Sequence, residues 1–286
     1  MKTIIYILIA VFVFGMIAVG FKPQASQPKK ITLQCTDSRP SKESLEKSAA
    51  IITKRLNNYH SGTFKLSILP EKNQLQLSLA DSWDLSVATA LATEKGALGF
   101  FETINRQELT AMLKGDPGFL SMLNVKAGDE SAGRLGCLPK ADIMKMNQQL
   151  PTSSLGGKCM FAWEKAKGDS MACLYALKVS GNGSAPITGA DIVSMELQNM
   201  QDKRDAAIFI TFSEPAASIW AELTRQSIGR DVAIVLDGTV LSAPMVRDEI
   251  KNGKSMITGN FTPNELRYIV AIGNGGELPF SFSMVQ

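Results

Sequence analysis

A chain of 286 residues with 45% apolar and 20% charged side chains has the material of a folded protein, not a disordered one. Its formal charge is only +3, with no block of like charges, which excludes the electrostatic footprint of a nucleic-acid binder. One histidine, His60, is too few for a histidine-built metal site.

No charge occurs from Ile4 to Phe21, between Lys2 and Lys22. A run of about 18 residues sits at the lower edge for a membrane-spanning helix and above a signal-peptide core. Ala18-Val19-Gly20 offers a small-residue cleavage site, and no cysteine comes after it to carry a lipid. The expectation is a transmembrane anchor or signal peptide over 1–21, retention being favoured, then a polar linker over 22–30. The remaining chain would lie on the exported side of the membrane.

Ile31, Leu33 and Cys35 alternate with Thr32 and Gln34, which predicts a half-buried strand. Ser41 is placed to cap a helix with an apolar stripe of Leu45, Ala49, Ile52, Leu56 and Tyr59. Two further alternating runs come next, Phe64-Leu66-Ile68 and Leu75-Leu77-Leu79, joined by a turn over Pro70 to Asn73. Asp84 opens a second helix, Gly96 ends it, and Ala97 to Glu102 reads as a fourth strand. The order β-α-β-β-α-β is that of a ferredoxin-like unit over 31–105.

Residues 106–180 read as an elaborated connection. Leu109 to Leu113 and Pro139 to Leu150 look helical; Asp116-Pro117-Gly118, Gly133 and Gly156-Gly157 break the pattern. Lys158 to Trp163 and Ala172 to Val179 look like a hairpin. Four cysteines, Cys35, Cys137, Cys159 and Cys173, allow three pairings or free thiols. Cys159 and Cys173 flank the hairpin and are the favoured pair.

Beyond residue 180, Ile208, Ile210 and Phe212 alternate, Ser213 caps a helix carrying Ala216, Ile219, Trp220 and Leu223, and Asp231 to Leu236 is a strand. Asp237-Gly238 is a strong two-residue hairpin signal, and the return strand from Thr239 to Ala243 stops at Pro244. Thr262-Pro263-Asn264-Glu265 is a capping box with proline in the first turn. Its helix ends in Gly273 to Gly276, and Phe280, Phe282 and Met284 alternate in a final strand.

An ordered series within this half resembles the head subdomain of the SecD family's large periplasmic domain. It comprises Ile187-Thr188-Gly189-Ala190-Asp191-Ile192, Ile210-Thr211-Phe212-Ser213, Ile228-Gly229-Arg230 and Ala233-Ile234-Val235-Leu236-Asp237-Gly238. Val240-Leu241-Ser242-Ala243-Pro244, Ile257-Thr258-Gly259-Asn260-Phe261-Thr262, Asn264-Glu265-Leu266 and Gly276-Glu277-Leu278-Pro279 complete it. The family-motif positions with structural roles are Asp237, Gly238, Ala243, Pro244, Gly259 and Phe261. The resemblance implies an α+β chain behind one N-terminal hydrophobic helix. A ferredoxin-like base is followed by a head over 181–276 and a C-terminal strand over 277–286. It also implies a non-enzymatic module that binds unfolded or partly folded exported polypeptide, alongside a separate multi-span translocon component. The sequence shows no further hydrophobic span after the first, so no proton-driven motor is expected within it. A structural or docking subunit of an envelope complex is the alternative.

No catalytic, metal or cofactor site is expected. His60 stands just past a helix end with no evident partner and reads as a solvated turn residue. Gly181-Asn182-Gly183 and Gly273-Asn274-Gly275-Gly276 lack dinucleotide spacing and read as turns. Phe209 falls opposite the inward set of its strand and is the candidate peptide contact. Met112, Met122, Met144, Met146, Met160 and Met171 would provide either core filling or an adaptable apolar surface.

Overall fold

The computed structural model describes residues 28–37, 39–113, 118–125, 133–150, 158–164, 171–181, 183–199, 206–259 and 261–285. The expected membrane segment over 1–21, most of the 22–30 linker, and Asp116-Pro117, Gly156-Gly157, Asn182 and Asn260 lie outside these. Among the described residues no helix is long and apolar enough to cross a membrane.

The alternating runs near the N-terminus form β1 (Lys29–Cys35), β2 (Phe64–Leu69) and β3 (Gln74–Leu79), with α1 (Lys42–Tyr59) after β1 and α2 (Leu85–Thr93) after β3. The caps stand where the sequence puts them: Ser41 accepts from the N–H of Ser44, and Asp84 from those of Ser86 and Val87. Ile31, Leu33, Leu75, Leu77 and Leu79 turn one face of the sheet toward α1 and α2. The other face is polar, and Gln74 Nε2 donates to Gln34 Oε1 at 2.9 Å.

The sheet does not take the expected fourth strand. β4 (Leu98–Ile104) pairs elsewhere, and β14 (Phe282–Val285), from the end of the chain, lies antiparallel to β1. The strand order is β14-β1-β3-β2. Burial explains the substitution. β4 buries Leu98 and Phe100 on one side and Phe101 on the other, so it requires cover on both faces. Phe282 of β14 is buried while Ser283, Met284 and Val285 are exposed, as suits an edge strand.

β4 enters a seven-stranded assembly with β5 (Arg134–Pro139), β6 (Cys159–Glu164), β7 (Met171–Lys178), β8 (Ile187–Thr188), β11 (Val232–Leu236) and β12 (Thr239–Ser242). β4 pairs with β11, β11 with β12, β12 with β6, β6 with β7, and β7 again with β4, which closes a five-stranded ring. All five strands send alternate residues into one cluster that fills it: Phe101, Ala162, Tyr175, Leu177, Ala233, Val235 and Val240. Outside the ring, α3 (Arg106–Met112), a 3-10 turn over Gly118–Met122, β5 and α4 (Ile143–Asn147) share a second cluster.

The third sheet is antiparallel, with order β13-β10-β9: β9 (Ile192–Asn199), β10 (Ala206–Phe212) and β13 (Lys254–Ile257). α5 (Glu214–Gln226) follows β10, and α6 (Pro263–Gly275) packs against both α1 and β9. Leu266, Ile269 and Ile272 of α6 belong to the same cluster as Leu33, Leu77, Ile208 and Trp220, so the core runs without a break from the first sheet to the third. Burying a leucine or isoleucine of that size stabilises by roughly 1.5–3 kcal/mol.

The favoured disulfide is corrected. Cys173 bonds to Cys137, directly opposite it in the β5–β7 ladder, and Cys159 is free. The β6–β7 register pairs Cys159 with Lys178 and Trp163 with Leu174, which places Cys159 and Cys173 at opposite ends of the hairpin. The region expected to be helical from Pro139 onward is also shorter, and it comes after a strand, β5, that the sequence pattern does not announce. Burial pushes the Cys159 thiol up to about 11. Alkylation of the native protein at neutral pH is therefore expected to leave Cys159 largely unmodified, and non-reducing peptide mapping to recover a Cys137–Cys173 crosslink. Replacing both bonded cysteines by serine is expected to cost about 2–4 kcal/mol in denaturant unfolding.

Candidate functional site

Two places combine unusual chemistry with an evident structural role. The first lies where the chain leaves the β1–β3 sheet for the ring and later returns. Arg55 belongs to the buried stripe of α1 and is 0% exposed. Its guanidinium donates to the carbonyls of Leu91 (3.1 Å), Glu94 (2.7 Å) and Lys95 (2.8 Å) on the outgoing chain, and to that of Gly276 (2.6 Å) on the returning one. These carbonyls sit at the C-terminal ends of α2 and α6, where unpaired acceptors and the helix dipoles favour a cation. Burial pulls the guanidinium down to about 10; the Tyr268 phenol and the carboxylates of Asp237, Glu94 and Glu277 oppose that fall, and it stays charged at neutral pH. Gly96 is required here: at φ +77, an added Cβ would stand 2.1 Å from Arg55 Nη2.

Asp237 closes the same joint from the ring. Asp237 and Gly238 occupy the β11–β12 turn with φ of 47 and 78, both in the left-handed region that a two-residue hairpin requires. The Asp237 carboxylate then accepts from the N–H groups of Gly96 (2.9 Å) and Ala97 (2.7 Å). Lys95 and Glu277 pair across the two crossing segments at 3.0 Å. Tyr268 of α6 donates to the Glu94 carboxylate; burial, with that carboxylate, pushes its phenol well above the ordinary range.

The second place is a groove of about 560 Å³ beside β13. Trp220, Ile234, Pro244, Met245, Ile250 and Met256 line it, with Arg247 and Asp248 also contributing. Met245 is 61% and Met256 40% exposed, whereas Trp220 is only 4% exposed. The Trp220 ring packs edge-on to Phe100 and tilted against Phe212, and its buried indole Nε1 has no hydrogen-bond partner among the described residues. β13 is an edge strand of its sheet, and Ser255, Met256 and Thr258 contribute to the groove wall. An apolar trough with adaptable thioethers and an edge strand can accept an extended peptide.

The structure separates the residues singled out from sequence. Asp237 and Gly238 are in the joint, and Pro244 is in the groove. Ala243 packs half-buried against the ring filling, and Phe261 half-buried against the main core. Gly259 has φ 157. Phe209 is half-buried, opposite Met256 on β13 and Glu196 on β9, on the side of β10 away from Ile208 and Ile210. Of the singled-out methionines, Met146 is buried, Met112 and Met122 are half-buried, and Met144 and Met171 are exposed. His60 is not a solvated turn residue: it lies half-buried, edge-on to Trp83. Gly273 and Gly275 lie within α6, and Asn274 exchanges two hydrogen bonds with the backbone of Met195. Among the described residues no acidic, histidine and cysteine side chains group as a metal site.

A family model described as the SecDF P1 head subdomain matches residues 172–280. The chain is SecD-like. SecD of Calditerrivibrio nitroreducens is 26% identical over 166 residues, which are 58% of this chain and 29% of that protein. SecD of Acidaminococcus fermentans is 32% identical over 104 residues, 36% of this chain and 25% of that one. The similarity thus spans less than a third of the length of these relatives. A crystal structure of SecDF in a super-membrane-facing form shares the fold over 91% of this chain and 30% of its own, with TM-score 0.57 and 20% identity. A second SecDF structure, of a membrane component that enhances protein export, shares it over 90% of this chain and 98% of its own, with TM-score 0.54 and 22% identity. Both the joint and the groove draw on the matched segment, through Asp237 and Gly276 in one and the residues from Trp220 to Thr258 in the other.

Arg55→Met is expected to lower unfolding stability by at least about 3 kcal/mol, because it strands several buried carbonyls at once. Asp237→Asn, which tolerates the same backbone conformation, is expected to cost about 1 kcal/mol. Equal, near-zero losses in chemical denaturation would remove the joint from the account.

Proposed function

We propose that the SecD-like head receives segments of exported polypeptide in the groove between Met245 and Met256, and so assists protein translocation. The observation that carries this reading is the coincidence of an apolar trough, two exposed thioethers and the edge strand β13 within one groove of the matched segment. An unfolded chain offers what such a groove takes: apolar side chains for the thioethers, and backbone groups for the strand edge. Phe209, paired with Met256 across the ladder, extends the contact on the neighbouring strand. No step in this reading forms or breaks a covalent bond.

In the same proposal, residues 1–21 anchor the chain in the bacterial inner membrane and the domain lies on the periplasmic side, next to a multi-span translocon component. The β14-β1-β3-β2 order, with α1 and α6 on one face, supports a ferredoxin-like base completed by the last strand instead of by β4. The head is then an insertion between the second and last parts of that base.

The test is binding of a fluorescently labelled, unfolded apolar peptide to the full chain in detergent micelles, read by anisotropy. Met245→Asp combined with Met256→Asp is expected to weaken binding at least about tenfold, a loss of about 1.4 kcal/mol, with the melting temperature unchanged because both side chains are exposed. Undiminished affinity in the double variant would refute the groove as the receiving site.

A further inference from the structure

His60 is the chain's one histidine, and it is placed against Trp83 in an aromatic corner. It comes just after the last turn of α1, where its backbone N–H donates to the Leu56 carbonyl. Trp83, in the turn between β3 and α2, is 2% exposed and belongs to the main core. The two rings meet edge-on with centroids 5.1 Å apart, flanked by Tyr59, stacked on Trp83, and Phe64, edge-on to it. Among the described residues neither His60 Nε2 nor Trp83 Nε1 has a hydrogen-bond partner, although both atoms are buried.

Gly62 shows where these nitrogens point. A Cβ built on it would stand 2.8 Å from His60 Nε2 and 2.8 Å from Trp83 Nε1, so both converge on one small space that only a glycine leaves open. Indole Nε1 is a donor and nothing else, whereas a neutral imidazole can present an acceptor at Nε2. Protonation replaces that acceptor with a second donor. Two donors then border the same small space in an aromatic enclosure, a costly arrangement for buried polar groups.

Charged groups of both signs lie around the pair. Lys29 of β1 places its Nζ on the carbonyls of Asp81 (3.3 Å) and Trp83 (3.1 Å), adding positive charge beside the indole. The Asp84 carboxylate is taken up by the Ser86 hydroxyl and the N–H groups of Ser86 and Val87. Asp81 is exposed at the same turn, Lys65 is exposed on β2, and Tyr59 contributes its ring from α1.

We propose that His60 and Trp83 form a proton-sensitive latch: neutral His60 holds Trp83 and with it the β3–α2 turn, and protonated His60 swings toward solvent and releases it. His60 is half-buried in extended backbone just past α1, so its ring has a way out. Histidine is the side chain whose charge ordinarily changes between about pH 5 and 8, which sets the interval to examine.

A single histidine makes the experiment unambiguous. In the full chain in micelles, the His60 ring protons and the indole N–H resonances of Trp83, Trp163 and Trp220 are followed by NMR from pH 8 to 5. The Trp83 indole signal is expected to shift or broaden with the same midpoint as His60, while the other two stay fixed. His60→Gln is expected to make the Trp83 signal independent of pH, and Gly62→Ala, by pushing a methyl between the nitrogens, to uncouple the two titrations. A His60 titration that leaves the Trp83 indole unmoved, or no His60 titration down to pH 5, overturns the proposal. So does a Trp83 transition that persists in His60→Gln.

Discussion

A buried positive charge whose direct hydrogen bonds go to backbone carbonyls organises this molecule. The guanidinium of Arg55 is compensated by the carbonyl ends of two helices that lie far apart in sequence, α2 and α6. Its planar fork reaches both crossing segments at once, which a lysine ammonium, a single point of charge, does less well. Because α1 carries it from the first sheet while Asp237 reaches the same crossing from the ring, three units of structure are registered at one point. The geometry is demanding: the outgoing chain must turn through a left-handed glycine directly over the guanidinium. The position of the head with respect to the first sheet therefore depends on this set of polar contacts as much as on apolar packing.

Around that point, strands buried on both faces join what would otherwise be separate cores. β4 and β11 each send alternate residues to the ring filling and to the main cluster, so a side chain on one face is in covalent register with packing on the other. The groove lies at the margin of this doubly buried region. Val232 and Ile234 of β11 and Trp220 of α5 support it from below, while Met245 and Met256 stand free at its rim. A firm apolar floor beneath adaptable, polarisable side chains suits contact with many sequences in place of one.

Much of this arrangement is legible in the sequence, and the failures share a cause. Ser41, Asp84 and the Thr262–Glu265 capping box mark helix starts correctly, and Asp237-Gly238 marks its hairpin, because caps and tight turns are local chemistry. The destination of β4 is not local. Leu98 to Glu102 reads as a strand in any sheet, and only its burial on both sides tells against an edge position. β5 is hard to see because the register shifts between Arg134 and Gly136, which breaks the period-two pattern. The cysteine pairing fails for the same reason, since Cys137 is carried on that strand. Arg55 is hidden in plain view: it sits three residues after Ile52 on the apolar stripe, and a charge at such a position signals a buried polar contact. Trp220 is legible as a core residue, but its unused donor is a property of packing that no periodicity reports.

The edge pairing of β1 with β14 also bears on how the protein is made. The Thr36 hydroxyl donates to the Ser281 carbonyl across 245 residues, and the two strands meet only when nearly all the intervening chain exists. During synthesis β1, β2 and β3 emerge early, with one flank of β1 bare. Contacts this distant in sequence form slowly, and an uncovered strand flank invites pairing with the wrong neighbour. Nascent polypeptide is thus exposed to misassembly for as long as the ribosome takes to complete the residues between the two strands. Gln34 and Thr32, which place polar side chains along that waiting strand, reduce its appeal to other chains in the interval.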